Sequence, residues 1–125
     1  MKALALILAL LFATAARADD WALYKAAFIA ADGRLSDGEV SHSEGQGYAL
    51  VLAAFNDDRE AFAAIWGWTA ANLEIRGDHL AAWRWRPQDA PHALDRNNAT
   101  DGDLLIAWGL AEAGRRWGRA DYKAE

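Results

Sequence analysis

The stretch SHSEGQGYALVLAAF, Ser41 to Phe55, begins with polar residues that suit a helix start and continues as an apolar run. Ser43 and Gln46 fit a capping box, which predicts that a helix begins at Ser43. Gly45 and Gly47 then fall in the first turns, where each glycine costs roughly 1 kcal/mol relative to alanine. That cost is usually offset where a neighbouring helix or a ligand approaches the backbone closely. The stretch therefore predicts a helix start that lies directly against a neighbouring helix or a ligand.

Glu44 occupies the first turn of this predicted helix. Together with Ser41 it fits a second capping box in a neighbouring register, and a carboxylate at this position also complements the helix dipole. A carboxylate at a helix start can equally act on a ligand. The position of Glu44 alone therefore leaves both a capping role and a catalytic role open.

The spacing of apolar residues predicts three further helices. The first covers Trp21 to Ala31 and ends at Asp32-Gly33. The next is capped by Asp57-Asp58 and has one buried face, formed by Phe62, Ile65, Trp66, Thr69 and Leu73. The last runs from about Asp101 to Trp117 and has two apolar stripes, Leu104/Ala107/Trp108/Ala111 and Ile106/Leu110/Ala113/Trp117. We expect this last helix to be buried on two sides, as in an inner ring of helices.

A second carboxylate-bearing helix start is predicted at Asn97–Asp103. Thr100 and Asp103 fit a capping pattern, so a purely structural role is again open. A calcium loop with Gly102 at its sixth position would place Ala99 and Trp108 at ligand positions, which excludes it. The histidines have no ligand spacing, so we predict neither a metal site nor a cofactor.

An extended segment lies between the two helix starts. It carries Trp83 and Trp85 on one side and Arg84 and Arg86 on the other. Pyranose rings stack on aromatic faces, and their hydroxyls bind charged groups. Because glycoside hydrolysis needs two carboxyl groups, the residues point to a carbohydrate enzyme, against a helical domain without a site as the alternative.

The first residues of the chain have the layout of a secretory signal peptide. Lys2 precedes an apolar run, and Ala16-Arg17-Ala18 forms a small-x-small cleavage site before Asp19. Cleavage would leave 107 residues with 11 basic and 18 acidic side chains, a net charge of −7. Such an acidic chain is a poor binder of nucleic acid or anionic membranes, and zero cysteines exclude disulfides and thiolate zinc sites. We therefore expect a periplasmic or secreted protein with no membrane attachment after cleavage.

Two spaced motifs carry a resemblance to a known family. SEGQGY (43–48) and ATDGD (99–103), followed by Ile106-Ala107 and Trp117, resemble the two most distinctive motifs of glycoside hydrolase family 8. Asn56-Asp57, Trp68, Asn72-Leu73 and AWRW (82–85) also resemble the branch formed by the periplasmic endo-β-1,4-glucanases of bacterial cellulose synthesis. The resemblance covers nearly all of the chain after the predicted signal peptide.

The resemblance implies an all-α (α/α)6 barrel, an inverting mechanism and β-1,4-glucan as the substrate. Glu44 resembles the family's general acid. Asp101 resembles its motif aspartate, either a catalytic carboxylate or a residue that binds and distorts the sugar. Trp83 or Trp85 is expected to provide a stacking platform, with Tyr48 as a weaker candidate. The cellulose synthesis and export machinery is the implied protein partner.

The sequence departs from its family after the second motif. The family's general base lies well downstream of Asp101, and twelve helices with their loops need on the order of 200 residues. We therefore interpret residues 1–18 as a signal peptide and residues 19–125 as the N-terminal part of a catalytic domain. Such an incomplete barrel is expected to expose an apolar face. The alternative is a non-catalytic secreted protein that binds glucan or a partner.

Overall fold

The computed structural model describes residues 20–124, which form five helices and one short pair of strands. A first helix, α1, covers residues 20–28. The others are α2 (Ser43–Phe55), α3 (Arg59–Asn72), α4 (Thr100–Trp117) and α5 (Ala120–Ala124). Strands β1 (Ser41–His42) and β2 (Arg84–Trp85) pair antiparallel, with Ser41 opposite Trp85. The predicted signal peptide, residues 1–18, lies outside the described residues.

The core lies where α2 packs against α3 and α4. Phe62, Leu50, Ile65 and Leu73 are among the largest fully buried side chains, and they come from α2, from α3 and from its C-terminal cap. The face predicted for α3 is confirmed for Phe62, Ile65, Thr69 and Leu73, whereas Trp66 is only partly buried. Helix α2 thus has neighbours on two sides, which fixes the direction of its N-terminal end.

Small residues bring α2 and α4 unusually close together. A Cβ atom at Gly47 would lie 2.5 Å from Leu105 Cβ, and one at Gly109 would lie 2.7 Å from Leu50 Cβ. Separations under 3.0 Å essentially never occur between real Cβ atoms and their neighbours. The sequence left open whether a neighbouring helix or a ligand approaches Gly47, and the structure shows that it is a neighbouring helix, α4.

The three capping patterns predicted for α2 and α4 are all wrong. The N-cap of α2 is His42 and that of α4 is Ala99, and neither makes a side-chain capping hydrogen bond. Gln46 turns inward instead of back to the helix start, and Asp103 accepts from the Ala81 amide at 3.0 Å. The cap predicted for α3 is confirmed, because the Asp58 carboxylate accepts from the Ala61 amide at 3.0 Å.

Helix α4 is not buried on two sides within the described residues. The stripe that includes Ile106, Leu110 and Ala113 is buried, but Leu104 is 66% exposed and Trp108 is 51% exposed. The prediction that Trp108 belongs to the core is therefore wrong for this part of the chain. Within residues 20–124, the stripe that includes Leu104 and Trp108 is an exposed apolar surface.

The first helix ends three residues earlier than predicted. Ile29 leaves the helix to form an isolated bridge with Leu35, and the chain turns back at Gly33 with φ of +92°. This turn places residues 33–40 beside the start of α2. None of the helices described over residues 20–124 is long and apolar enough to cross a membrane.

Candidate functional site

The two predicted motifs meet at the N-terminal ends of α2 and α4. A Cβ atom at Gly102 would lie 2.8 Å from Ser43 Cβ and 2.9 Å from the Glu44 amide nitrogen. Only a glycine lets the two backbones approach so closely. The structure therefore brings the helix starts that carry Glu44 and Asp101 into direct contact.

The Glu44 side chain is exposed at the rim of a shallow cleft. This cleft of about 210 Å³ is lined by Leu35, Asp37, His42, Glu44, Gly45 and Tyr48. Tyr48 follows Glu44 by one helical turn and is 49% exposed. Neither residue takes part in the ion pairs or side-chain hydrogen bonds found among residues 20–124, so both are available to a ligand.

Asp101 lies in the first turn of α4 and is also exposed. Its Oδ1 accepts from the Gly102 amide at 2.7 Å, and its Oδ2 makes no side-chain hydrogen bond or ion pair among those found in residues 20–124. Asp101 does not line the cleft beside Glu44, so the two carboxylates occupy adjacent positions rather than one pocket.

Backbone hydrogen bonds hold Trp83 next to the start of α2. The Ser43 amide donates to the Trp83 carbonyl at 3.0 Å, and the Trp83 amide donates to the Asn97 carbonyl at 2.8 Å. The indole Nε1 donates to Asp95 at 2.8 Å, and the ring stacks on His42 with centroids 5.7 Å apart. Trp83 is thus a fixed aromatic surface that reaches the Glu44 cleft through His42.

Trp85 is held by the fold instead. Its ring contacts Trp68 edge to face at 5.5 Å and His92 at 4.7 Å, and the Arg34 guanidinium lies 4.8 Å from its centroid. Because Trp85 packs against the core, it is less available to a ligand than Trp83. The predicted separation of tryptophans and arginines on two sides also fails locally, since Arg84 lies over the Trp83 ring at 4.6 Å.

The described carboxylates that follow Asp101 are all engaged elsewhere. Asp103 binds the Ala81 amide and Asn98, Glu112 pairs with Arg115 and Arg116, and Asp121 pairs with Arg119. The two arginines hold the pKa of Glu112 down to about 2. Residues 20–124 contain no group of three or more histidine or acidic side chains that could hold a metal ion.

Sequence reasoning missed three contributors to this region. Asp37 lies in a loop without a regular sequence pattern but lines the Glu44 cleft. Asp95 orients Trp83, and hydrogen bonds from the Asn97 amide and the indole lower the pKa of this carboxyl. Gln46 was assigned to a cap but is buried. Only the spacing of Asp95, shortly before the second motif, gave any sequence signal for these roles.

The arrangement combines exposed carboxylates with an oriented aromatic ring. An exposed carboxylate beside a sugar can donate or accept a proton, and an indole face can stack on a pyranose. The exposed hydroxyl of Tyr48 adds a donor and acceptor within the same cleft. This chemistry suits a polysaccharide better than a small charged metabolite.

Comparisons with known proteins agree with this chemistry. A sequence model described as "Glycosyl hydrolases family 8" matches residues 1–125. An endoglucanase from Cellulomonas uda is 47% identical over 100 residues, which cover 78% of this chain and 28% of that protein. A probable endoglucanase from Novacetimonas hansenii is 44% identical over 108 residues, covering 84% of this chain and 32% of that protein.

Solved structures give the same result at the level of the fold. An endo-β-1,4-glucanase from Acetobacter xylinum matches with a TM-score of 0.81 and 44% identity over 85% of this chain and 34% of that chain. An endoglucanase from Komagataeibacter sucrofermentans gives a TM-score of 0.82 and 46% identity with the same coverage. The predicted all-α fold of the (α/α)6 barrel type is confirmed. The chain spans about a third of the length of the relatives it matches.

Proposed function

The chain belongs to glycoside hydrolase family 8, and from this premise we propose that it takes part in the hydrolysis of β-1,4-glucan chains such as cellulose. The reaction is endo-acting and inverting, and Glu44 is the general acid that protonates the glycosidic oxygen. Asp101 either acts as a catalytic carboxylate or binds and distorts the sugar at the cleavage point. Trp83 is the stacking platform, and Tyr48 contacts a neighbouring sugar.

The observation that carries this proposal is the contact between the two motif helices. Because Gly102 lies directly against Ser43 and the Glu44 amide, two exposed carboxylates are presented at one end of the molecule. Glu44 is exposed at a cleft, as a group that must reach a polymeric substrate has to be. Trp83 is oriented by Asp95 and His42 beside the same helix start.

An inverting mechanism also requires a base that activates water from the opposite face of the sugar, with the two carboxyl groups roughly 6.5 to 9.5 Å apart. Among residues 20–124, the acidic side chains after Asp101 are bound to arginines, to Asn98 or to a backbone amide. Because the family resemblance implies a base downstream of Asp101, and these side chains are engaged, we propose that the base lies outside the described residues. Accordingly, the described residues alone should bind glucan without efficient turnover.

The experiment compares the purified protein with its Glu44→Gln variant. Cellopentaose binding is followed by calorimetry, and cleavage of carboxymethyl cellulose is followed by the release of reducing ends. Loss of a general acid lowers the rate by about 10² to 10⁴-fold. We expect any turnover to fall by that amount while cellopentaose affinity stays within about threefold, since glutamine keeps the shape of the side chain.

Glu60→Gln provides the matched control, because Glu60 is also an exposed acid in the first turn of a helix but lies in α3. It should change neither binding nor turnover. If the chain bound glucan but gave no turnover, either alone or as part of a full-length family enzyme, a non-catalytic glucan-binding protein would be favoured. Absence of any glucan binding would contradict the proposal.

Export is a further part of the proposal. Its support is the sequence pattern of Lys2, the apolar run that follows and the small residues before Asp19. Fractionation of the native host should find the protein in the periplasm or medium with Asp19 at its N-terminus. A cytoplasmic protein that retains Met1 would contradict export.

Association with a cellulose synthesis and export machinery rests on the resemblance of the sequence motifs alone. Affinity purification of that machinery from the native host should recover this chain. Its absence from a preparation that retains the synthase would leave the chain as a free hydrolase.

A further inference from the structure

Gln46 is a buried polar side chain that the proposed chemistry does not use. It is 0% exposed and lies on α2, two residues after Glu44, so it points away from the cleft and into the molecule. Its Oε1 accepts from the Leu35 amide at 2.5 Å, and its Nε2 donates to Thr69 Oγ1 at 2.7 Å. The same nitrogen lies 3.3 Å from the Gly33 carbonyl oxygen and 3.4 Å from that of Ile65. The amide is therefore fully hydrogen-bonded, as a buried amide must be.

Gln46 and its partners belong to three separate parts of the fold. Leu35 and Gly33 lie in the segment after α1, Ile65 and Thr69 lie on α3, and Gln46 itself lies on α2. The segment is docked at a second point, because a Cβ atom at Gly33 would lie 2.6 Å from the Ile65 amide nitrogen. The Gln46 amide thus ties the returning chain to both helices.

The segment that Gln46 holds forms one wall of the Glu44 cleft. Leu35 and Asp37 line this cleft, and the Leu35 side chain lies 2.7 Å from the position of a Cβ atom at Gly45. Without the Gln46 amide, the Leu35 amide and the Gly33 carbonyl would lose their shared partner. We propose that Gln46 is a positioning residue, which fixes residues 33–37 as the wall of the cleft and so sets how a glucan chain lies against Glu44; this rests on the proposed function.

Two variants separate this role from a general contribution to stability. Gln46→Met keeps the length of the side chain and removes every hydrogen bond. Gln46→Glu keeps the acceptor for Leu35, and it regains a donor only when its carboxyl group is protonated. The four partners of Gln46 are backbone groups and a threonine hydroxyl, none of which titrates. Phe62→Leu is the control for lost stability, since Phe62 is fully buried but contacts Trp117 and Tyr122.

The experiment measures hydrogen exchange of the Leu35 amide in the free protein, together with the affinity for cellopentaose from tryptophan fluorescence. An unsatisfied buried group costs about 1 to 3 kcal/mol, which corresponds to at least a fivefold effect. We expect Gln46→Met to accelerate Leu35 exchange and weaken cellopentaose binding about tenfold, whereas Phe62→Leu leaves the affinity unchanged. Gln46→Glu should bind better at about pH 4.5 than at about pH 7.5, relative to the wild-type protein.

Unchanged Leu35 exchange in Gln46→Met would overturn the inference. Equal affinity losses in Gln46→Met and Phe62→Leu would overturn it as well, because the effect would then be one of stability. If the wild-type protein bound no glucan, the proposed function would be contradicted. The exchange of the Leu35 amide would still decide whether Gln46 holds the segment.

Discussion

At the scale of single residues, Gly102 joins the two halves of the site. Its alanine variant would place a methyl group 2.8 Å from Ser43 Cβ and 2.9 Å from the Glu44 amide nitrogen, and both neighbours belong to or adjoin the backbone of α2. Because neither can move without shifting the helix, we expect Gly102→Ala to cost about 1 to 3 kcal/mol of unfolding free energy. Urea denaturation measures this loss.

Gly67→Ala is the matched control for that prediction. Gly67 lies within α3, and a Cβ atom there would meet nothing within 4 Å. Alanine should therefore stabilise the protein by about 0.5 to 1 kcal/mol through helix propensity. Equal effects of the two variants would show that the contact at Gly102 is unimportant.

The sequence predicted that something approaches the glycines of the first motif closely, but not which residue does so. The glycines of the first motif could be recognised as costly in a helix, and the close approach that they imply is present at Gly47. The identity of the partner could not be predicted, because it depends on how α4 crosses α2. At Gly45 the neighbour is only the end of the Leu35 side chain, which comes from a loop without any regular pattern.

At the scale of elements, the two tryptophans of the segment around β2 have different roles. Trp85 packs against Trp68 and His92, whereas Trp83 is oriented by Asp95 at the edge of the site. We expect Trp85→Ala to cost on the order of 2 kcal/mol of unfolding free energy, because a partly buried ring is lost from the core. Trp83→Ala should cost less stability and weaken cellopentaose binding by about 1 kcal/mol or more.

Urea denaturation and calorimetric titration of both variants check this division. The prediction concerns a contrast, so each variant serves as the control for the other. If Trp85→Ala weakened glucan binding at unchanged stability, the assignment of the stacking platform to Trp83 would have to be reversed.

Asp58 connects α1 to α3 and gives a second prediction at this scale. Its carboxylate accepts from the Ala61 amide, from Trp21 Nε1 at 2.9 Å and from Lys25 Nζ at 2.6 Å. Partial burial opposes its ionisation, but these donors outweigh that effect and lower the pKa of Asp58. We expect Asp58→Ala to lower the free energy of unfolding by about 1 to 2 kcal/mol, which is typical of a lost N-cap. We also expect a changed tryptophan emission spectrum, because Trp21 loses its hydrogen-bond acceptor and α1 loosens.

Glu60→Ala is the neighbouring control, since Glu60 is an exposed acid in the first turn of α3 and makes no hydrogen bond to a tryptophan among residues 20–124. It should leave the Trp21 environment unchanged. A spectrum of Asp58→Ala identical to that of the wild-type protein would mean that Asp58 does not hold α1.

Elements were predicted better than their caps. Periodicity located α3 and α4, because apolar residues on their buried faces repeat every three or four residues. Helix α2 was predicted from a capping pattern at Ser43, and it does begin at Ser43 although the cap itself is not formed. The capping patterns at Gln46 and Asp103 failed because both side chains find stronger partners in residues distant along the chain, Leu35 and Ala81. Local spacing cannot detect such competition. Helix α5 was missed because its five residues carry too short a pattern.

At the scale of the whole molecule, ion pairs at the surface make the stability of the fold depend on pH in the acid range. Hydrogen bonds from Arg76 lower the pKa of Asp78 to about 2, and those from Arg115 and Arg116 lower that of Glu112 to about 2. Both values lie below those of the unfolded chain, about 3.9 for Asp and about 4.3 for Glu. The contribution of these pairs is therefore fully present above about pH 5 and is lost as the pH falls toward 2.

Thermal unfolding between pH 7 and pH 2 tests this dependence. The midpoint should change little above about pH 5 and fall below about pH 4, with a smaller fall for Glu112→Gln and at high salt, because exposed pairs are screened. A midpoint that rises on acidification, or an identical pH profile for Glu112→Gln, would contradict the contribution of the ion pairs.

The sequence predicted that helix α4 has apolar stripes, but not which of them is exposed. Leu104 and Trp108 on α4, with Phe55 on α2, are exposed by 66%, 51% and 42%. The chain covers 34% of the Acetobacter xylinum endoglucanase that it resembles in fold. Amphipathic spacing predicts that such a stripe is apolar, but it does not predict which of two apolar stripes is covered by a neighbouring element.

A chimeric enzyme would show whether Glu44 is the general acid of a β-1,4-glucan hydrolase, as we propose. The matched segment of the Acetobacter xylinum endo-β-1,4-glucanase is replaced by this chain from residue 20 onward, and kcat on carboxymethyl cellulose is measured with and without Glu44→Gln. We expect an active chimera that loses about 10² to 10⁴-fold in kcat with Glu44→Gln, but not with Glu60→Gln. An active chimera that keeps its full kcat with Glu44→Gln would contradict it.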